Sequence, residues 1–184
     1  MKRSSRSLNV LVAALAVALG IAALATIASA GSGSSDSRIA AANATAQFHD
    51  LTVAKQAGYR LLKDKRGIAC IAMDSMPAMG AMGVHYAKSS LVADGKLKVT
   101  APEALVYRPL AGGKLQLAAL EYVVLKSAWD AHHASPPSLF GQRFNFTPAG
   151  NRFGLPAYYS LHAWFWQQNP AGLFAMWNPR VSCK

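Results

Sequence analysis

Glutamate occurs only twice in this chain of 184 residues, at Glu103 and Glu121, and both fall in one apolar stretch, PEALVYRPLAGGKLQLAALEYVVL from Pro102 to Leu125. The stretch reads as a β-hairpin, and carboxylates used so sparingly in its two arms are not there for solubility. Turn length decides how they relate. If Gly112-Gly113 alone close the hairpin, the two carboxylates face opposite sides of the sheet. If Ala111-Gly112-Gly113 form a three-residue loop with glycine in the left-handed position, Glu103 lies opposite Glu121, Leu105 opposite Ala119, Tyr107 opposite Leu117 and Arg108 opposite Gln116. The second register matches apolar with apolar and polar with polar, and it is the one expected here. Two carboxylates directly opposed, with Cβ atoms about 5 Å apart, destabilise the pair. A cation must then sit between them, or one must hold a proton.

Two histidines belong to neighbouring apolar strands. Val84-His85-Tyr86 reads as a strand start. In YYSLHAWFW, alternation places Tyr158, Ser160, His162, Trp164 and Trp166 on one face, and Tyr159, Leu161, Ala163 and Phe165 on the other. Together His85, Glu103, Glu121 and His162 offer two imidazoles and two carboxylates, a donor set that suits Zn, Fe or Mn. No two of them stand at a diagnostic spacing such as HxH or HExxH, so the set depends on which faces meet. Met73, Met76, Met79 and Met82 recur at every third residue. A thioether from Met79 or Met82 would admit Cu, although flexible methionine filling core gaps is the plainer reading.

Other readings use the same residues. Glu121 could be a buried carboxylate paired with Arg143, Arg152 or Arg180, with the histidines as ordinary core residues. That network would suit an envelope structural or partner-binding protein with a broad exposed patch. Alternatively, Tyr107, Trp164, Trp166, Phe140 and Phe144 could line a concave pocket for a small apolar ligand without metal. Two carboxylates could also divide acid and base work. No nucleophile or substrate signal accompanies them, and catalytic triads, phosphate loops and zinc-knuckle spacings are absent from the sequence, so binding ranks above catalysis.

Ala41, Ala44, Phe48, Leu51 and Lys55 follow the three-to-four spacing of a helix that Ser37 or Asp36 can cap and Gly58 can end. From Lys126 to Pro156 the pattern dissolves into prolines and glycines punctuated by Phe140, Phe144, Phe146 and Phe153, an aromatic flap over the sheet. The expected fold is α+β: an N-terminal helix packed on a curved, mainly antiparallel sheet or small barrel, with a long aromatic loop and one disulfide.

The N-terminus carries Lys2, Arg3 and Arg6, an Ala/Leu/Val run from Leu8 to Ile27 and the small-x-small sequence Ala28-Ser29-Ala30, which together read as a secretory signal over residues 1–30. Residues 31–37, GSGSSDS, read as a flexible leader, and residues 38–184 as one globular domain with no membrane span. The chain's formal charge is +11. Its basic residues are scattered rather than clustered with aromatics, which excludes nucleic-acid recognition and suits attraction to an anionic envelope surface. In an exported protein, secreted or periplasmic, the two cysteines Cys70 and Cys183 are expected to form a disulfide, leaving neither as a metal ligand or nucleophile.

GAMGVHY (80–86), PEALVY (102–107), LEYVVL (120–125), LFGQRF (139–144) and LHAWFWQQNPAGLFAMWNPRVSC (161–183) resemble a family of small exported bacterial proteins of unassigned function. The resemblance extends over nearly all of the chain after the signal. It implies export and single-domain size, and no ligand or reaction.

Overall fold

The computed structural model describes residues 33–184; the secretory signal expected over residues 1–30 lies outside them. Helix α1 spans residues 33–45, so most of the expected leader is already helical, and a 3-10 turn, Ala46–His49, extends it. The single helix expected to continue to Lys55 is broken at Asp50. This residue is extended (φ −84°, ψ 108°), and its carboxylate caps α2 (Leu51–Gln56) by accepting the Thr52 N–H at 2.7 Å. An aspartate side chain satisfies orphan N–H groups at a helix start better than it continues a helix, which is why the chain restarts there. Gly58 follows α2 with φ 95°, a conformation that glycine adopts without strain.

Nine strands follow. They are β1 (Arg60–Leu61), β2 (Cys70–Ala72), β3 (Ala81–Ala87), β4 (Ala104–Pro109), β5 (Leu115–Leu125), β6 (Ser138–Leu139), β7 (Gln142–Arg143), β8 (Asn145–Thr147) and β9 (Tyr158–Ala163). Short helices α3 (Ser89–Val92) and α4 (Lys126–Asp130) interrupt them. The main sheet is antiparallel with order β1-β3-β4-β5-β9-β8, and β2 joins β3 beyond β1. It is open rather than a closed barrel. The segment from Lys126 to Pro156 is more ordered than its composition suggested, since it holds α4, the β6–β7 hairpin and β8.

Alternation along the strands makes two cores. On one face Val84, Tyr86, Leu105, Tyr107, Leu120, Tyr122 and Leu161 pack against Ala41, Phe48 and Ala54 of the helical layer. Three of the buried tyrosines donate to carbonyls, Tyr59 to Pro102 at 2.8 Å, Tyr107 to Phe48 at 2.7 Å and Tyr122 to Val99 at 2.7 Å, so these rings stay in the core with no orphaned hydroxyl. On the other face Ala81, Val106, Ala118, Ala119 and Trp164 meet Val181 of the C-terminal tail. Asn178 pairs with Ala81, and the disulfide Cys70–Cys183 fastens the tail to β2, as expected.

The β4–β5 hairpin decides where the site residues fall. Its loop has the expected three residues, closed by the Leu110 N–H donating to Lys114 at 2.8 Å, and Tyr107 faces Leu117 while Arg108 faces Gln116. Beyond that point a bulge inserts Ala118 between the residues opposite Tyr107 and Val106. One extra residue reverses every later position. Ala104 therefore stands opposite Glu121 and Leu105 opposite Leu120, and the expected opposition of Glu103 and Glu121 does not occur.

Candidate metal centre

Three strands that are not all neighbours bring His85, Glu121 and His162 together. Glu121 on β5 stands directly opposite His162 on β9. His85 lies on β3, two strand spacings or about 10 Å from β5. It reaches Glu121 diagonally across β4, where Val106 stands opposite His85 and Ala104, with only a methyl side chain, stands opposite Glu121. His85 Nε2 is 3.3 Å from His162 Nε2 and 3.4 Å from Glu121 Oε2, and His162 Nδ1 is 3.5 Å from Glu121 Oε1. One donor atom from each residue can be chosen so that all lie within 4.8 Å of one another, and the three could hold a metal ion.

Burial sets the electrostatics. Each histidine is 2% exposed, and desolvation is the main cause that depresses both to a pKa of about 4, leaving them neutral near pH 7. Burial likewise raises Glu121 above the ordinary carboxylate range, opposed by His85 and by the Ser160 hydroxyl. Neutral imidazoles are the form that ligates metals, whereas Glu121, raised by burial, must be free of its proton to join them. Among the described residues His85 Nδ1 has no hydrogen-bond partner, although the nearby Gly83 backbone pulls this histidine's pKa upward.

No family model, curated protein or solved structure matches this chain. Its chemistry has to be read from the site itself.

Glu103, grouped with these three at the sequence level, is on the opposite face. It is 1% exposed beside Tyr59 and Tyr122, and its Oε2 accepts the Val123 N–H at 2.9 Å. Desolvation raises its pKa to about 8. The thioethers also stay away: Met79 is 37% exposed in a 3-10 turn, and Met82 is three residues, or about 10 Å, along β3 from His85. The donor set is therefore two histidines and one glutamate. Among the described residues the arginines offered as partners for Glu121 are engaged or distant: Arg152 pairs with Asp64 at 2.9 Å, Arg180 donates to Gln168, and Arg143 is exposed on β7.

A cavity of about 310 Å³ lies on the same face. Its floor includes Ala87, Ala104, Glu121 and Val123, and its roof Phe153 and Leu155. None of the aromatic residues expected to line a pocket borders it. Tyr107, Phe140 and Phe144 belong to the helix-side core, because alternation turns Tyr107 away from Val106. Trp164 stacks beside His162 (5.8 Å between centroids) under the C-terminal tail. Trp166 lies past the end of β9, where alternation has lapsed, and sits edge-on to His49 at 4.6 Å.

The roof is positioned by residues that periodicity does not reveal. Asn151 Oδ1 accepts the Phe153 and Leu155 N–H groups, which turns the loop and aims both apolar side chains inward. Asp64 ties this loop to the segment after β1. Its carboxylate accepts from the Arg66 and Ile68 N–H groups at 2.9 Å each and from Arg152, while Arg152 O accepts the Lys65 N–H at 2.9 Å. These hydrogen bonds, chiefly that from Arg152, hold Asp64 below its ordinary range. The one sequence signal was a lone acid in the basic run KDKRG, and its partner stands 88 residues away.

Proposed function

We propose that this protein binds a divalent transition-metal ion, with zinc the first candidate and iron or manganese the alternatives, through His85, Glu121 and His162. The observation that carries the reading is the convergence of two buried imidazoles and the largely buried Glu121 carboxylate, one donor atom from each lying within 4.8 Å of the others. Metal–ligand bonds of about 2.0–2.1 Å in tetrahedral geometry put ligand atoms about 3.3–3.4 Å apart, so the side chains would close in on a bound ion. Among the described residues Glu121 has no arginine or lysine partner; in its charged form it needs positive charge beside it, and a metal supplies this where depressed histidines do not. Three protein donors leave a fourth position for water or an exogenous ligand, the arrangement of open rather than structural zinc sites.

The chain's export accords with this reading. The basic, apolar and small-x-small N-terminus has the features of a secretory signal. The disulfide suits an oxidising compartment, and no helix among the described residues is long and apolar enough to cross a membrane.

The test is elemental analysis and zinc titration of untagged protein stripped with a chelator. The native protein should take up one zinc per chain, and Glu121→Gln should weaken the affinity by about 100-fold or more while the fold persists. At zinc 100-fold above its dissociation constant, native stability should rise by about 2.7 kcal/mol. Equal zinc uptake by the native protein and Glu121→Gln would sink the assignment.

A further inference from the structure

Glu121 belongs to two places at once: it is a donor in the buried cluster and the one charged residue among those lining the 310 Å³ cavity. His85 and His162 do not line the cavity, so exchange between the cluster and the cavity passes at Glu121. The remaining wall is almost wholly apolar, with Val123 and Leu125 from β5, Val92 from α3, and Phe153 and Leu155 overhead. The volume lies at the small end of the range for ligand sites.

We infer that this cavity takes a small molecule with an apolar tail and a single anionic, metal-binding head group, the class that includes medium-chain carboxylates. The inference rests on the metal reading above. Without a metal, the inner end of the cavity holds only the Glu121 carboxyl, which offers an anionic head group no positive charge. With a divalent ion held by two neutral imidazoles and one carboxylate, that end carries a net charge of +1, and low-dielectric walls strengthen its pull on an anion. The fourth coordination position receives the head group, and the tail replaces water against Val92, Val123, Leu125 and Leu155. Most of the binding energy then comes from apolar area, and orientation comes from one polar contact, the usual division in small-molecule sites.

Octanohydroxamate, acetohydroxamate and octanol separate head from tail. Each is titrated calorimetrically into zinc-loaded and chelator-stripped protein, after zinc binding itself has been measured. Octanohydroxamate should bind the zinc form at least 10-fold more tightly than acetohydroxamate or octanol, and at least 10-fold more tightly than it binds the stripped form. Ala87→Phe fills the cavity from β3, and Val92→Trp fills it independently from α3 should the first variant misfold. Either should keep zinc affinity, lose at least 10-fold for octanohydroxamate and leave acetohydroxamate unchanged. Zinc binding with no advantage from the octyl tail, or with fillers that leave octanohydroxamate affinity intact, overturns the ligand class and leaves the metal site standing. Failure to bind zinc at all overturns both.

Discussion

Glu103 should make the protein lose stability as pH rises through neutrality, the reverse of ordinary carboxylate behaviour. The residue is 1% exposed, its carboxyl accepts the Val123 N–H at 2.9 Å, and the tyrosine hydroxyls beside it already donate to the Pro102 and Val99 carbonyls. Desolvation raises its pKa from 4.5 to about 8. Between those values the unfolded chain has given up a proton that the folded chain still holds, so stability is greatest below 4.5, falls as pH rises, and levels off above 8. The slope is about 1.4 kcal/mol per pH unit where the two states differ by a full proton. From pH 6.5 to pH 8.5, with ionisation in the folded state included, the loss comes to about 2 kcal/mol.

The cluster histidines, with pKa values lowered from 6.5 to about 4, change stability mainly below pH 6.5 and only slightly above it, as the unfolded histidines lose their remaining protons, and that remainder is common to the native protein and a Glu103 variant. Glu121, also raised, adds a fall of the same sign as Glu103. It is present in both the native protein and Glu103→Gln, so it cancels in their difference. Glutamine keeps an acceptor for the Val123 N–H and cannot ionise. Urea unfolding of chelator-stripped protein, followed by far-UV circular dichroism, should give a stability difference between Glu103→Gln and native protein that grows by about 2 kcal/mol from pH 6.5 to pH 8.5 in favour of the variant. Parallel pH profiles would refute a buried protonated Glu103.

Two further perturbations probe what holds the site closed. Asp64→Ala removes the acceptor shared by Arg66, Ile68 and Arg152, so amides in residues 62–68 and 151–156 should exchange hydrogen faster while zinc uptake is retained; unchanged exchange would show that the loops are held by other contacts. Cys183→Ser opens a loop spanning 113 residues, which costs about 5 kcal/mol on the chain-entropy account, and urea midpoints of variant and native protein should differ accordingly.

Much of this was legible in residue patterns. The hairpin loop, the faces of Tyr158 to Ala163 and the disulfide followed from turn chemistry, period-2 alternation and cysteine count, all of which act locally or by elimination. His85, Glu121 and His162 were picked out because buried titratable groups are rare on apolar strands, but their convergence depended on strand order, which no spacing encodes. The break at Asp50 escaped because the apolar spacing runs on through it, while a local carboxylate-to-N–H bond restarts the helix. The cavity escaped more completely. Its lining comes from five separate segments, and the clamp that roofs it joins Asp64 to a residue 88 positions later.

Ala118 explains why Glu103 and Glu121 are not opposed, and it supplies the most discriminating test of the hairpin. Had Ala118 paired normally, Glu121 would have come opposite Glu103 on the helix-side face, away from His85 and His162. The bulge places Ala118 and Ala119 together on the far face and frees the Ala118 carbonyl, which accepts the Trp166 and Gln167 N–H groups at 3.1 and 3.0 Å. Deleting Ala118 leaves Leu117 opposite Tyr107 and brings Ala119 directly after it, opposite Val106. Leu120 and Glu121 then keep their present partners on β4 and β9 without any bulge. The deletion should therefore preserve zinc binding within about threefold, while the lost carbonyl acceptor frees the Trp166 segment and costs about 1–3 kcal/mol. Tryptophan emission and urea unfolding report the second effect, and calorimetry the first. Loss of zinc binding in a folded deletion variant would mean that the bulge itself, rather than the register beyond it, aims Glu121 at the histidines.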